Sequence, residues 1–133
     1  MREIDVALRD YLLAGTALTA LLTHGSAIYN RRAPQGASPP YLVFFESAGV
    51  DDNDSPRRAR TATYTIKAIS TDQDEALLIE AALDARLESE PDLALTSWGN
   101  YRTKRLSDIN YAEEGAGVEY HHVGGQWQFR IAK

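Results

Sequence analysis

The chain has no cysteine among its 133 residues. Without a thiol there is no disulfide, no thiolate-held zinc or iron–sulfur cluster, and no cysteine nucleophile. Long apolar runs are missing as well. The longest, Tyr41 to Phe45 and Ala17 to Leu22, the latter broken only by Thr19, fall far short of the roughly 20 residues a membrane-crossing helix needs, so no membrane partner is expected. The opening Met1-Arg2-Glu3-Ile4-Asp5 alternates charge with apolar residues. It lacks the apolar stretch of a secretory signal, and a soluble protein made inside the cell is expected. No G-x-G-x-x-G, Walker A, G-x-S-x-G or H-E-x-x-H string occurs, which leaves an enzyme reading without a motif. Positive charge is scarce: 14 Lys+Arg stand against 19 Asp+Glu, a formal net charge of −5. Proteins that hold nucleic acid by neutralising phosphates need the reverse. An acidic wall past which DNA slides remains compatible with this balance.

What is present reads as one globular domain over residues 1–133. A 44% hydrophobic and 25% charged composition is near the globular average, and a chain of this size buries roughly 65 to 70% of its unfolded surface. Apolar positions 4, 7, 8, 11 and 12 predict a first helix. Gly15 is expected to stop it in the left-handed conformation, with Thr16 capping a short second helix, Ala17 to Leu22. These make a helical hairpin over 1–25. Strands follow within 27–70. Ala27 to Asn30 is a weak one, and three prolines and a glycine between Ala33 and Pro40 make a turn. Tyr41 to Phe45 reads as a central strand buried on both faces. Thr61 to Ile69 alternates, with Ala62, Tyr64, Ile66 and Ala68 on one face and Thr61, Thr63, Thr65 and Lys67 on the other. Between these two, Gly49 to Arg60 passes from acid to base and reads as a long projecting loop.

Thr71 is expected to cap a helix over 72–90, with Ala76, Ile79, Leu83 and Leu87 as its apolar stripe, flanked by Leu78 and Ala82. A strand hairpin over 98–131 closes the chain. In its first strand Tyr101, Thr103, Ile109 and Tyr111 are expected to share a face, and a turn lies at Glu113 to Gly117. Its second strand starts at Val118 and points Trp127, Phe129 and Ile131 inward, with Gly124-Gly125 read as a bulge or bend. The fold class is α+β: an antiparallel sheet of four to five strands in two hairpins, with two short N-terminal helices and one long helix on one face.

Chemistry-bearing groups are few, and no catalytic residue, metal ligand or cofactor is assigned. His121 and His122 adjoin on a strand and point to opposite faces, so they cannot share a metal. His24 reads as a cap. Asp51-Asp52-Asn53-Asp54 fails the EF-hand pattern, since Pro56 and Arg57 fall where a ligand and the glycine belong. Glu113-Glu114 reads as a solvated pair. The residues singled out are those of the charged loop, Asp51, Asp52, Asp54, Arg57, Arg58 and Arg60, as a contact to another subunit or another protein.

The chain also resembles the tail terminator, or tail-completion, proteins of long-tailed phages and gene transfer agents. The likeness is carried by Ala7-Leu8-Arg9-Asp10-Tyr11-Leu12-Leu13, by Ile28-Tyr29 leading to Ala33-Pro34-Gln35-Gly36, by Pro40-Tyr41-Leu42-Val43-Phe44, and by Arg57-Arg58-Ala59-Arg60 running into a strand before the long helix. The resemblance implies a virion protein of the tail or neck, assembled in the host cytoplasm. It implies a homo-oligomeric ring, usually a hexamer, on the head-proximal end of the tail tube. The ring would stop tube growth and meet the head–tail connector or stopper protein, with DNA passing through its lumen without specific binding. Two alternatives are another neck component, such as a stopper, and a small-ligand binding module or enzyme with a pocket at Tyr64 and Trp127.

Overall fold

The computed structural model describes residues 2–51, 59–88, 93, 95, 96 and 98–132. Its elements run α1 (Arg2–Leu13), α2 (Thr16–Thr19), β1 (Ile28–Asn30), β2 (Tyr41–Asp51), β3 (Ala59–Ser70), α3 (Gln73–Glu88), β4 (Gly99–Gly115) and β5 (Val118–Ala132). The five strands form one sheet in the order β1-β2-β3-β5-β4. β2, β3, β5 and β4 pair antiparallel. β1 departs from the expected antiparallel pattern and lies parallel to β2, Ile28 opposite Leu42. The ten residues from Arg31 to Pro40 carry the chain back to start β2 in the same direction, and their prolines replace the usual crossover helix.

All three helices cover the same sheet face. Ile4, Leu8 and Leu12 of α1 and Ile79, Leu83 and Leu87 of α3 meet Leu42, Phe44, Ala62, Tyr64, Ile66, Trp127, Phe129 and Ile131 in one buried cluster. Side chains at i, i+3, i+4 and i+7 of a helix fall on one stripe, which is why these periodic positions are the buried ones. Each large side chain removed from water contributes about 1.5–3 kcal/mol. One polar strut crosses this layer: Tyr64, fully buried, donates its hydroxyl to Asp5 of α1.

Several local expectations are corrected. Gly15 sits at φ −79, outside the left-handed region, and α2 spans Thr16–Thr19 with no side-chain cap. A side chain at Gly15 would instead approach Arg86 Nε to 3.0 Å. The cap of α3 is Asp72 in place of Thr71: its Oδ1 accepts the Asp74 N–H at 3.1 Å, and Ser70 Oγ accepts the Asp72 N–H at 3.1 Å. Leu78, expected beside the apolar stripe, is 63% exposed. The turn between β4 and β5 is only Ala116-Gly117, both at positive φ (53 and 79), which matches the tight primed turn of a twisted hairpin.

The bulges also lie elsewhere. β5 keeps unbroken register with β3 through Gly124 and Gly125, from Ala59 opposite Ala132 to Ser70 opposite His121. The irregularities are in β4, between Asn100 and Arg102 and between Arg105 and Ser107, and in β2, between Glu46 and Ala48. One extra residue flips every later side chain to the other face. Thr103 and Arg105 therefore face the helices opposite Phe129 and Trp127, whereas Ile109 and Tyr111 face outward opposite Gly124 and His122. The shared face expected for these β4 residues does not form. The two glycines serve close approach, since a Cβ at Gly124 would lie 2.1 Å from the Ile66 carbonyl oxygen.

Candidate functional site

With the helices on one side, the opposite sheet face carries no helix among the described residues. Val43 of β2, Thr61, Thr63, Thr65, Lys67 and Ile69 of β3, and Gln126, Gln128 and Arg130 of β5 share it by register. A polar row crosses it: Ser107 Oγ donates to Gln126 Oε1 at 3.1 Å, and Gln126 Nε2 reaches Thr65 Oγ1 at 3.5 Å. The row holds β3, β5 and β4 in register after the β4 bulge. Further along, Tyr111 and His122 stack with centroids 4.5 Å apart, and Lys67 Nζ donates to the Tyr111 hydroxyl at 2.8 Å. β4 is the outer strand of the sheet, and no strand pairs with its far edge among the described residues. The β1 edge differs, because Arg9 Nε donates to the Ile28 carbonyl at 3.1 Å and so closes it with α1.

The segment expected to project is strand at both of its ends. Pairing continues through Val50 opposite Thr61 and Asp51 opposite Arg60, so the strands reach into both ends of the segment expected to project. Asp52, Asp54, Arg57 and Arg58 lie outside the described residues. Arg60 is in β3, with Nη2 2.7 Å from Glu46 Oε1 and both side chains under 20% exposed. Burial works to raise the Glu46 carboxyl. Hydrogen bonds and positive charge, Arg60's among them, outweigh it and leave that group below the ordinary carboxylate value. Gly49 makes the pair possible, because a Cβ there would lie 2.1 Å from Arg60 Nη2. Arg60 thus ties β3 to β2 within its own chain.

Other singled-out residues have local roles. His24 Nδ1 accepts the Ser26 N–H at 3.2 Å, and its Nε2 is 3.3 Å from the Tyr29 hydroxyl; it caps the turn before β1. His121 and His122 take opposite faces, as expected of adjacent strand residues. Tyr64 is in the core, edge-on to Phe129 at 5.7 Å. Trp127 borders a groove with Asp84, Leu87, Glu88, Thr103 and Arg105, so the Tyr64–Trp127 pocket of the ligand-binding alternative does not form. Among the described residues no three His, Asp or Glu side chains come together to hold a metal ion. The features that the sequence did not disclose are the outward Tyr111–His122–Lys67 set and its neighbours Arg31 and Arg32. The β4 bulge that brings Tyr111 to that face has no glycine or proline signal.

The described residues offer surfaces for contact, and comparison with known proteins supplies their setting. No curated protein is similar to the chain. A chain in a structure described as the virion of a native gene transfer agent particle shares the fold, with a TM-score of 0.76 at 19% identity over 98% of this chain and 95% of that one. A second solved chain has a TM-score of 0.62 at 13% identity, over 99% of this chain and 95% of that one. The model of the family described as tail completion protein gp17 matches residues 6–121. The chain belongs to this family of tail-completion proteins, and is a structural protein of the virion tail.

Proposed function

We propose that the chain works as a closed ring of identical subunits, six in the arrangement its resemblance implies, seated on the head-proximal end of the tail tube. There it ends tube growth and presents its far side to the head–tail connector, while DNA passes through the middle. The observation that carries this reading is the one-sided fold: three helices cover one sheet face, and the other face and the β4 edge are left for contacts. Family membership supplies the tail setting. A chain of the same fold in a structure described as the virion of a native gene transfer agent particle supports a virion setting.

Size and charge support a ring. One subunit has a radius of gyration of roughly 14 Å, too small to surround a duplex, so a lumen needs several copies in a closed cyclic arrangement. A net charge of −5 suits a wall that repels phosphate and leaves the strand free to move. No step in this role makes or breaks a covalent bond. Electron microscopy of the purified protein tests it together with tail morphology: rings, and overlong tails when the gene is deleted, are the expected pair. Tails of normal length in the deletion strain would remove the terminator role, and full heads lacking tails would favour a stopper.

A further inference from the structure

The outward face holds a basic hollow at one end. It lies where the Arg31–Ala37 turn folds against β2, β3 and β5, and its walls include Arg31, Arg32, Tyr41, Lys67 and His122. The hollow measures about 450 Å³, room for one or two carboxylate side chains. Three fixed cations line it against one acid, Glu113, in a chain whose net charge is −5. Among the described residues the Arg31 and Arg32 guanidiniums have no carboxylate partner.

Two further observations mark the hollow as built. His122 is 7% exposed, and its Nδ1 is buried without a hydrogen-bond partner among the described residues. Arg31 is held at φ 71, a left-handed conformation that a side chain rarely adopts, with its N–H on the Phe44 carbonyl at 2.8 Å. Such strain is kept where the surroundings fix it, often at binding sites.

The chain's densest acid run, Asp51-Asp52-Asn53-Asp54, starts at Asp51, the last residue of β2, which lies at the opposite end of the sheet. β3 begins beside Asp51 at Ala59 and reaches Lys67 eight residues later, roughly 26 Å at about 3.3 Å per residue. One subunit cannot bring the two ends together across its own rigid sheet. Acid at one end and base at the other is the charge pattern of a head-to-tail contact, which closes rings when its rotation closes.

We infer that the hollow lined by Arg31, Arg32, Lys67 and His122 is a carboxylate-binding site that receives the Asp51–Asp54 segment of a second copy of this chain. This rests on the ring reading and names the contact that would build it. A carboxylate brought beside His122 favours the protonated ring, so docking takes up a proton and tightens as pH falls from 8 toward 6. The charged groups that act on the ring are Lys67 on β3, Glu113 on β4 and, from the opposite sheet face, His121 on β5. His121→Gln removes the neighbouring imidazole as a control.

Two experiments on the full chain decide it. In the first, a synthetic peptide with the sequence of residues 49–56 is added while His122 ring signals are followed by NMR. The signals shift and the His122 pKa rises. Arg31→Glu with Arg32→Glu weakens the effect about fivefold or more, and a peptide with Asn for each Asp has none. In the second, the Arg31→Glu, Arg32→Glu protein and an Asp52→Arg, Asp54→Arg protein are examined singly and mixed. Each alone stays unassembled though folded by circular dichroism, and the mixture assembles, because acid then meets base at every contact between the two variants. Assembly of either variant alone, as in the parent, overturns the inference and leaves the ring standing. So does a peptide that leaves His122 unmoved, or a duplex oligonucleotide that shifts it when the peptide does not. Peptide binding in a parent protein that never self-associates removes the second copy and the ring together, and keeps only the carboxylate chemistry.

Discussion

Tyr111 and His122 lie ring on ring, 4.5 Å between centroids and 9° from parallel, and this stack covers one side of an imidazole that is nearly buried. Burial first, and the Lys67 ammonium second, hold the His122 pKa below its ordinary value of 6.5, against a smaller opposite pull from Glu113. The folded subunit therefore prefers neutral His122. In the window between the folded pKa and 6.5 the unfolded chain binds more protons, so stability is full above that window and is lost as pH falls through it. Urea unfolding of the monomeric protein from pH 8 to pH 5 should show this decline. His122→Phe, which keeps a ring on Tyr111, should flatten it, and an undiminished slope in that variant would contradict the assignment.

Arg105 anchors the open edge of the sheet to the long helix. Its guanidinium lies 4.8 Å from the Trp127 ring centroid and within 2.8 Å of carboxylate oxygens of Glu80, Asp84 and Asp108. Burial alone would lower its pKa, and the hydrogen bonds it donates to Asp84 and Glu80 more than reverse that. The partners are part-exposed, so each ion pair is discounted for solvent. Arg105→Met is expected to cost about 1–2 kcal/mol, read as a lower urea midpoint with faster amide exchange in β4. An unchanged midpoint would mean that the cluster contributes nothing.

Gly124 and Gly25 make a matched pair. A methyl at Gly124 would press into the β3 backbone, 2.1 Å from the Ile66 carbonyl oxygen and 2.6 Å from Lys67 Cα, whereas a methyl at Gly25 meets nothing within 4 Å. Gly124→Ala is expected to cost about 2–3 kcal/mol and Gly25→Ala about 0.5 kcal/mol or less. Thermal unfolding of the two variants checks this, and equal losses would contradict the close approach of β5 to β3.

Periodic apolar patterns carried most of the legible fold. The α3 stripe of Ala76, Ile79, Leu83 and Leu87, the inward Ala62, Tyr64, Ile66 and Ala68 of β3, and Trp127, Phe129 and Ile131 of β5 are all buried. A period of 3.6 or 2 is a local property, and a buried face enforces it. What depends on pairing was not legible. The β4 bulge after Arg105 inverts the face of Ile109 and Tyr111 with no glycine or proline to announce it. The parallel placement of β1 depends on a return path that Pro34, Pro39 and Pro40 shape but do not orient. The residues chosen from sequence for contact were chosen by charge density alone. Arg60 proved to be engaged by Glu46, while the outward basic set gathers Arg31, Lys67 and His122 from three separate parts of the chain.

Self-association is the quantity on which the functional reading depends most directly. Native mass measurement of the purified protein over a range of concentrations, with electron micrographs of the same samples, is expected to give closed rings of one fixed integer multiple of the 14.7 kDa chain. Those rings should seat on the ends of added tail tubes. A single species of 14.7 kDa at every concentration, with bare tube ends, would contradict it.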